Sequence, residues 1–292
     1  MGRISPLLIA AAGLLAVASA LASPARAAAW WRVSDGRSDV WVLGAPQVAP
    51  KDFAWDTSGV QRRLAGASQL IIGAQPRDQL KAFAVLVSNA GSRTPMEVGL
   101  SPALRRRFDA VSASAGKDPN HYANWKPAVA GVMLAGDFYK ASDLKPGEIE
   151  AAVRRLARKN GVREVAAAYY DAAEMAGAAE ALSPTGQQIC LGATLHGLEA
   201  GAPRLRSNAA DWARGEPRPT APDASDLACL AAVPQLKALN ERNLTADAAA
   251  VAEALRAPGR TVAVFDLQQL TMPDGILERL RARGLTVSGP TP

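Results

Sequence analysis

The chain has 292 residues, 49% of them hydrophobic and 21% charged, which is enough apolar material to bury a proper core and excludes a disordered or fibrous protein. Its net charge of +6 comes from scattered basic clusters, "LRRRF", "VRRLARK" and "LERLRAR", on what read as solvated helix faces. No basic stripe interleaved with aromatics is present, which argues against a nucleic-acid partner.

The chain opens with Arg3, the uncharged apolar run "PLLIAAAGLLAVASALA" and then Ala25-Arg26-Ala27, a small-x-small cleavage pattern. Residues 1–27 therefore read as an export signal cut after Ala27. The rival reading is an uncleaved anchor, since the run approaches the ~20 residues of a membrane span. No later segment is long and apolar enough to cross a bilayer. Residues 28–292 read as one exported domain, periplasmic or secreted, without a transmembrane segment. The signal carries Arg3 and Arg26 and no acid, so its loss takes the charge from +6 to about +4.

"WWRVSDGRSDVWVLG" predicts two strands joined at Asp35-Gly36, a strong hairpin signal. "TSGVQRRLAGAS" predicts a short helix with Val60, Leu64 and Ala67 on one face. "QLIIGA" is a buried strand over 69–74, and "FAVLVS" over 83–88 reads as another. From Ser101 the pattern becomes helical. "SPALRRRFDAVSAS" has a Ser cap and Pro at the first helical position. A helix follows Pro127, and "KPGEIEAAVRRLARKNG" is amphipathic and ends at Asn160-Gly161. "SPTGQQICLGATLHGLEAG" is a helix opened by Ser183-Pro184 and closed by Gly201. "RGEPRPTAPDAS" is a Pro-rich loop, and "SDLACLAAVPQLKALNERNLTADAAAVAEALRAPG" gives one or two more helices. "RTVAVFDL", "PDGILERLRARG" and "LTVSG" form a closing β-α-β unit with parallel strands. The expected fold is α/β. A mixed central sheet is built from the N- and C-terminal segments, with a large helical middle insertion over about 101–258.

Two cysteines, Cys190 and Cys229, suit one disulfide in an oxidising compartment; two buried free thiols are the alternative.

Two strands end alike, in Gly44-Ala45-Pro46-Gln47 and in Asp266-Leu267-Gln268-Gln269, with "LNERNLTADAAAVAEAL" between them. "WRVSDGRSDVWVLGAPQVAP", "NERNLTADAAAVAEAL" and "AVFDLQQLTMPDGILERLRARGLTV" together resemble the TraB/PrgY/GumN family, which includes TIKI-type proteases and is related in fold to EreA and ChaN. The helical middle resembles the family in texture, with Trp125, Trp212 and "CLGATL" as anchors. The resemblance implies two Gly-x-x-His turns and a strand-end glutamate that together bind a divalent metal and activate water. This chain departs at each position. Gln47 and Gln269 stand where the histidines would be, Asp266 replaces the second glycine, and Gly73 or Ala74 stands where the glutamate would be. Of the polar motif residues Glu241, Arg242 and Asn243 remain. Neutral amides are weak ligands beside imidazole and carboxylate, so the resemblance implies a degenerate site that takes no metal and no cofactor.

The two histidines, His121 and His196, match no motif position and read as ordinary partly exposed residues. Glu241 and Arg242 read either as a structural ion pair or as remnants of a site. No hydrolase elbow and no phosphate-cradling loop is present.

The leading expectation is an exported, family-like protein with a degenerate metallohydrolase site and a binding or envelope-associated role. Its partner is a peptide, a protein or a small ligand that the sequence does not name. The alternative is an altered-site, metal-independent hydrolase with Glu241 as base, Arg242 as anion clamp, and Gln47 and Gln269 as hydrogen-bond donors. A third reading is a structural protein with a filled cleft.

Overall fold

The computed structural model describes residues 29–89, 91, 96–217, 222–257 and 259–291. The export signal expected over 1–27 lies outside the described residues.

In chain order the elements are β1 (Trp30–Ser34), β2 (Asp39–Ala45), β3 (Val48–Pro50), α1 (Ser58–Leu64), β4 (Ala67–Ile72), β5 (Gln75–Arg77) and α2 (Gln79–Asn89). Then follow α3 (Pro102–Ser114), α4 (Pro127–Ala141), β6 (Leu144–Pro146), α5 (Glu148–Lys159), β7 (Arg163–Ala166), β8 (Tyr169–Asp171) and α6 (Ala172–Glu180). The chain closes with α7 (Pro184–Glu199), α8 (Gly201–Ala213), α9 (Ala224–Ala232), α10 (Pro234–Ala254), β9 (Arg260–Asp266), α11 (Leu267–Thr271), α12 (Ile276–Ala282) and β10 (Thr286–Thr291).

The fold is mixed α/β with a helical middle, as the sequence predicts. The main sheet has the order β10-β1-β2-β9-β4-β7. The Asp35-Gly36 turn makes β1 and β2 an antiparallel hairpin, with Trp30 opposite Leu43. The two ends of the chain meet where β2 lies parallel to β9, with Leu43 beside Val264 and Gly44 beside Phe265. Burial explains the pairing. Val40, Val42, Leu43, Val262, Ala263 and Val264 are all fully or nearly fully buried, the near-continuous apolar run of strands covered on both faces. β10 runs in the same sense as β9, with β2 and β1 between them.

The structure differs from the sequence reading in three places. The middle is not only helical: β7, at Arg163–Ala166, joins the sheet edge parallel to β4. Its four residues follow the Asn160-Gly161 helix stop too closely to show a strand period. The run "FAVLVS" belongs to α2 instead of a strand; a short apolar run does not by itself distinguish the two. Past Gly201, whose φ is +77°, the chain enters α8, an element that went unread between the glycine stop and the Pro-rich loop.

A second core fills the helical middle. Phe108, Tyr122, Leu134, Phe138, Leu191 and Leu195 are buried together where α3, α4 and α7 meet. The Cys190–Cys229 disulfide is formed, with Cα atoms 4.7 Å apart, and ties α7 to α9.

Candidate functional site

From β2 the chain continues across the sheet to β4, and from β9 it crosses the other way to β10. Neighbouring parallel strands whose connections diverge leave a crevice beyond their carboxyl ends, the favoured ligand position in open α/β sheets. A cleft of about 900 Å³ occupies that place. Its floor is the two strand-end turns, Pro46-Gln47 and Asp266 to Gln269, and its walls come from α8, α9 and α10.

Two glycines fit these turns to their neighbours. A Cβ on Gly44 would stand 2.8 Å from both Leu267 Cδ1 and Trp31 Cζ3, so only glycine lets α11 lie against the end of β2. A Cβ on Gly275 would stand 2.6 Å from the Gln269 carbonyl oxygen. The first turn is held further by Trp212 of α8, whose Nε1 donates to the Gly44 carbonyl at 2.6 Å. Trp212 is buried and packs edge-on against Trp55, with centroids 5.0 Å apart. The Gln47 carbonyl accepts from the Gly147 amide at 2.9 Å. At the second turn Asp266 caps α11, accepting from the Gln269 amide at 3.0 Å. Burial pushes the Asp266 carboxyl up from its ordinary range, against the lowering effect of the Gln269 and Gln268 amides.

Gln47 and Gln269 thus line one cleft. Gln47 is exposed and Gln269 half-buried, so the cleft is open and not plugged by its own glutamines. Glu241 also lines it. Its carboxylate, however, accepts from Arg279 Nη2 at 2.5 Å, while the same guanidinium reaches Thr245 Oγ1 at 2.9 Å and the Asp274 carbonyl at 2.6 Å. Glu241 thereby clamps α10 to α12. Arg242 is not among the cleft-lining residues; it pairs with Glu174 of α6 at 3.7 Å, both side chains more than half exposed. The adjacent Glu241 and Arg242 thus face different neighbours, and only Glu241 belongs to the cleft lining.

Gly73 and Ala74, expected on the cleft wall, are absent from its lining. Asp247 of α10 lies beside them, 2% exposed, accepting from the Ala74 amide at 3.0 Å. A Cβ on Gly73 would sit 3.7 Å from its Oδ2. Burial first, and the charge of Glu150 second, push the Asp247 carboxyl up to about 7 against the Ala74 hydrogen bond. Asp247 went unread in sequence, although it interrupts the apolar stripe Leu244, Ala248, Val251 of its helix.

The histidines sit elsewhere. His196 pairs with Asp223 at 2.8 Å, and His121 is 3.9 Å from Asp137. Among the described residues no cluster of three or more His, Cys, Asp or Glu is arranged to hold a metal ion. The two positions where the resemblance implies histidines carry amides, and the carboxyl beside them, Asp266, is engaged in capping α11, so the residues at those positions do not fit the divalent metal that the resemblance implies.

The TraB/PrgY/gumN family model matches residues 29–289. The chain belongs to that family. No curated protein and no solved structure matches it at a significant level. The match spans both ends of the sheet and the helical middle between them, and so takes in every element around the cleft. No helix among the described residues is long and apolar enough to cross a membrane.

Proposed function

We propose that this TraB/PrgY/gumN family member is an exported binding protein whose ancestral metallohydrolase site has degenerated into a recognition cleft. The observation that carries the reading is the convergence of Gln47 and Gln269 on one open cleft at the ends of two adjacent parallel strands. Those are the positions where the resemblance implies metal-binding histidines. An amide offers a carbonyl acceptor and an N–H donor pair but no negative charge. It recognises polar ligands by hydrogen bonding and does not offset a dication.

Residues 28–292 act as one unit in this reading, because the two chain ends share a sheet. Export follows from the leader pattern over 1–27, and the Cys190–Cys229 disulfide is the bond expected of an oxidising compartment. The competing altered-site hydrolase loses its clamp, because Arg242 pairs with Glu174 outside the cleft, and the carboxylate of its base, Glu241, is held by Arg279.

The test is direct. The purified chain from residue 28 is titrated with Mn, Co and Zn and assayed for peptide hydrolysis. No stoichiometric tight site and no hydrolysis is the expected result. One tight metal per chain, accompanied by metal-dependent hydrolysis that Gln47→Ala abolishes, would overturn the proposal.

A further inference from the structure

Beside the cleft lies a second chamber of about 510 Å³ between helices of the middle, partly open to solvent, with Val132 of its wall 61% exposed. Its character is different. Val129, Val132, Met175, Leu182, Leu198 and Leu236 dominate its wall, with the Cys190–Cys229 disulfide set among them. The two spaces adjoin, sharing Tyr139, Gly197, Asp226 and Leu230 in their linings. A cleft that carries several amide and carboxyl groups on a largely apolar lining, beside a more apolar chamber with which it shares lining residues, is matched by a ligand with a polar head and an aliphatic part.

The cleft also selects the charge of the polar part. Among the described residues Asp226, Glu241, Asp266 and Asp274 line it, with Lys237 as the cation. Arg279 neutralises Glu241, and the rest of the described lining carries more acids than bases. An anionic headgroup would meet these carboxyl groups, whereas an amide or ammonium head would find acceptors there and the two glutamine amides besides.

We propose that the ligand is a single-chain amphiphile. Its aliphatic tail fills the chamber between α4, α7 and α9, and its uncharged or cationic amide-type head lies in the cleft against Gln47 and Gln269. This rests on the reading of the cleft as a recognition site and adds the chemical class of what it recognises. The chamber supplies affinity by burying methylene groups, and the cleft supplies orientation and charge selection.

Gly197 gives the means to separate the two parts. It lies on α7 at the junction of both spaces, and a Cβ added there would meet nothing within 4 Å. Gly197→Phe therefore adds a ring at a residue common to both linings without forcing the helix apart, and Gly197→Ala serves as its control.

The probes are N-acylglycinamides from hexanoyl to dodecanoyl, with N-dodecanoylglycine as the anionic counterpart, titrated calorimetrically into the chain from residue 28. Affinity is expected to rise about three- to fourfold for each added methylene and to level off once the chamber is full. N-Dodecanoylglycine should bind at least tenfold more weakly than the amide of the same length. Gly197→Phe should flatten the chain-length series, while Gly197→Ala should leave it unchanged. Gln47→Ala with Gln269→Ala should weaken every member alike. Head-dependent binding without any chain-length dependence in the wild-type chain would overturn the tail chamber and leave the cleft reading standing. Chain-length dependence indifferent to the double glutamine variant would remove the cleft from the proposal instead. Equal binding of amide and carboxylate heads would overturn the charge selection.

Discussion

Trp212 on α8 donates its indole N–H to the carbonyl of Gly44, 168 residues earlier in the chain, at 2.6 Å. This bond fixes the helical middle to the end of β2, where the first turn of the cleft begins. Trp212→Phe keeps most of the ring packing and leaves a buried carbonyl without its donor, a loss of about 1–3 kcal/mol. Urea denaturation should show a lower midpoint, and ligand affinity at the cleft should fall by more than the stability change accounts for. An unchanged midpoint would mean that Gly44 finds another donor.

Gly44 itself is fixed by contact. Its missing Cβ leaves room for Leu267 and the rigid ring of Trp31. Gly44→Ala forces the ring or α11 to move, at a cost of about 1–3 kcal/mol. Because α11 carries Gln268 and Gln269, the shift should appear as a chemical-shift change at the Gln269 side-chain amide.

Asp247 predicts a pH dependence. The folded chain holds its proton up to about 7, whereas the ordinary carboxyl value is 3.8. The native state therefore loses stability relative to the unfolded chain as pH rises between these values, and the loss is complete above about 7. The difference corresponds to roughly 4 kcal/mol at most. Asp247→Asn keeps the Ala74 hydrogen bond and removes the titration. Thermal melts should show the variant more stable than the wild-type chain at pH above 7, with the gap closing toward acid pH. A parallel pair of curves would assign the pH dependence to other groups.

The disulfide ties a helix with no buried residue to the α7 face it packs on. None of the residues of α9 is buried, yet Asp226, Cys229 and Leu230 wall the chamber. Besides the bridge, α9 is anchored through the Asp223 cap, which pairs with His196. Replacing Cys190 and Cys229 by serine should lower global stability by about 3–4 kcal/mol in the chain-entropy model. Hydrogen exchange should rise first and most in α9. Exchange that stays slow there would show α9 held by its remaining contacts alone.

The sheet's centre was legible because β1, β2 and β9 carry long apolar runs and a glycine turn, signals that are local in sequence. β7 was not legible: it has four residues and stands as a strand through pairing with β4, a contact across 94 positions. The glutamines were legible only against a resemblance, since an isolated Gln47 carries no chemical signal. Placing Arg242 was beyond the sequence because neighbours on a helix diverge by about 100°, which sends Glu241 toward α12 and Arg242 toward α6. The apolar chamber was equally hidden. Val129, Cys190 and Leu236 each read as ordinary core, and only the gap left where α4, α6, α7, α9 and α10 come together makes them a lining.

The origin of the cleft can be tested by rebuilding what the resemblance implies it once held. Gln47→His and Gln269→His place two imidazoles at turns that already converge on one space. Gly73 lies outside the present cleft lining, so a carboxylate from Gly73→Glu has to reach the space with its full side chain; that side chain starts 3.7 Å from Asp247 Oδ2, and two acids there would repel. Asp247→Asn is therefore included, which lets the new glutamate ionise. The quadruple variant should bind Mn or Zn at least tenfold more tightly than the wild-type chain in isothermal titration. Each single histidine should gain little, since one ligand does not hold a labile dication against water. Hydrolytic activity is not expected to return with the metal, because affinity and activity both depend on the partners that orient each ligand. If neither the folded quadruple variant nor the folded Gln47→His, Gln269→His double variant binds metal better than the wild-type chain, Gln47 and Gln269 do not occupy former ligand positions, and the cleft arose as a recognition site in its own right.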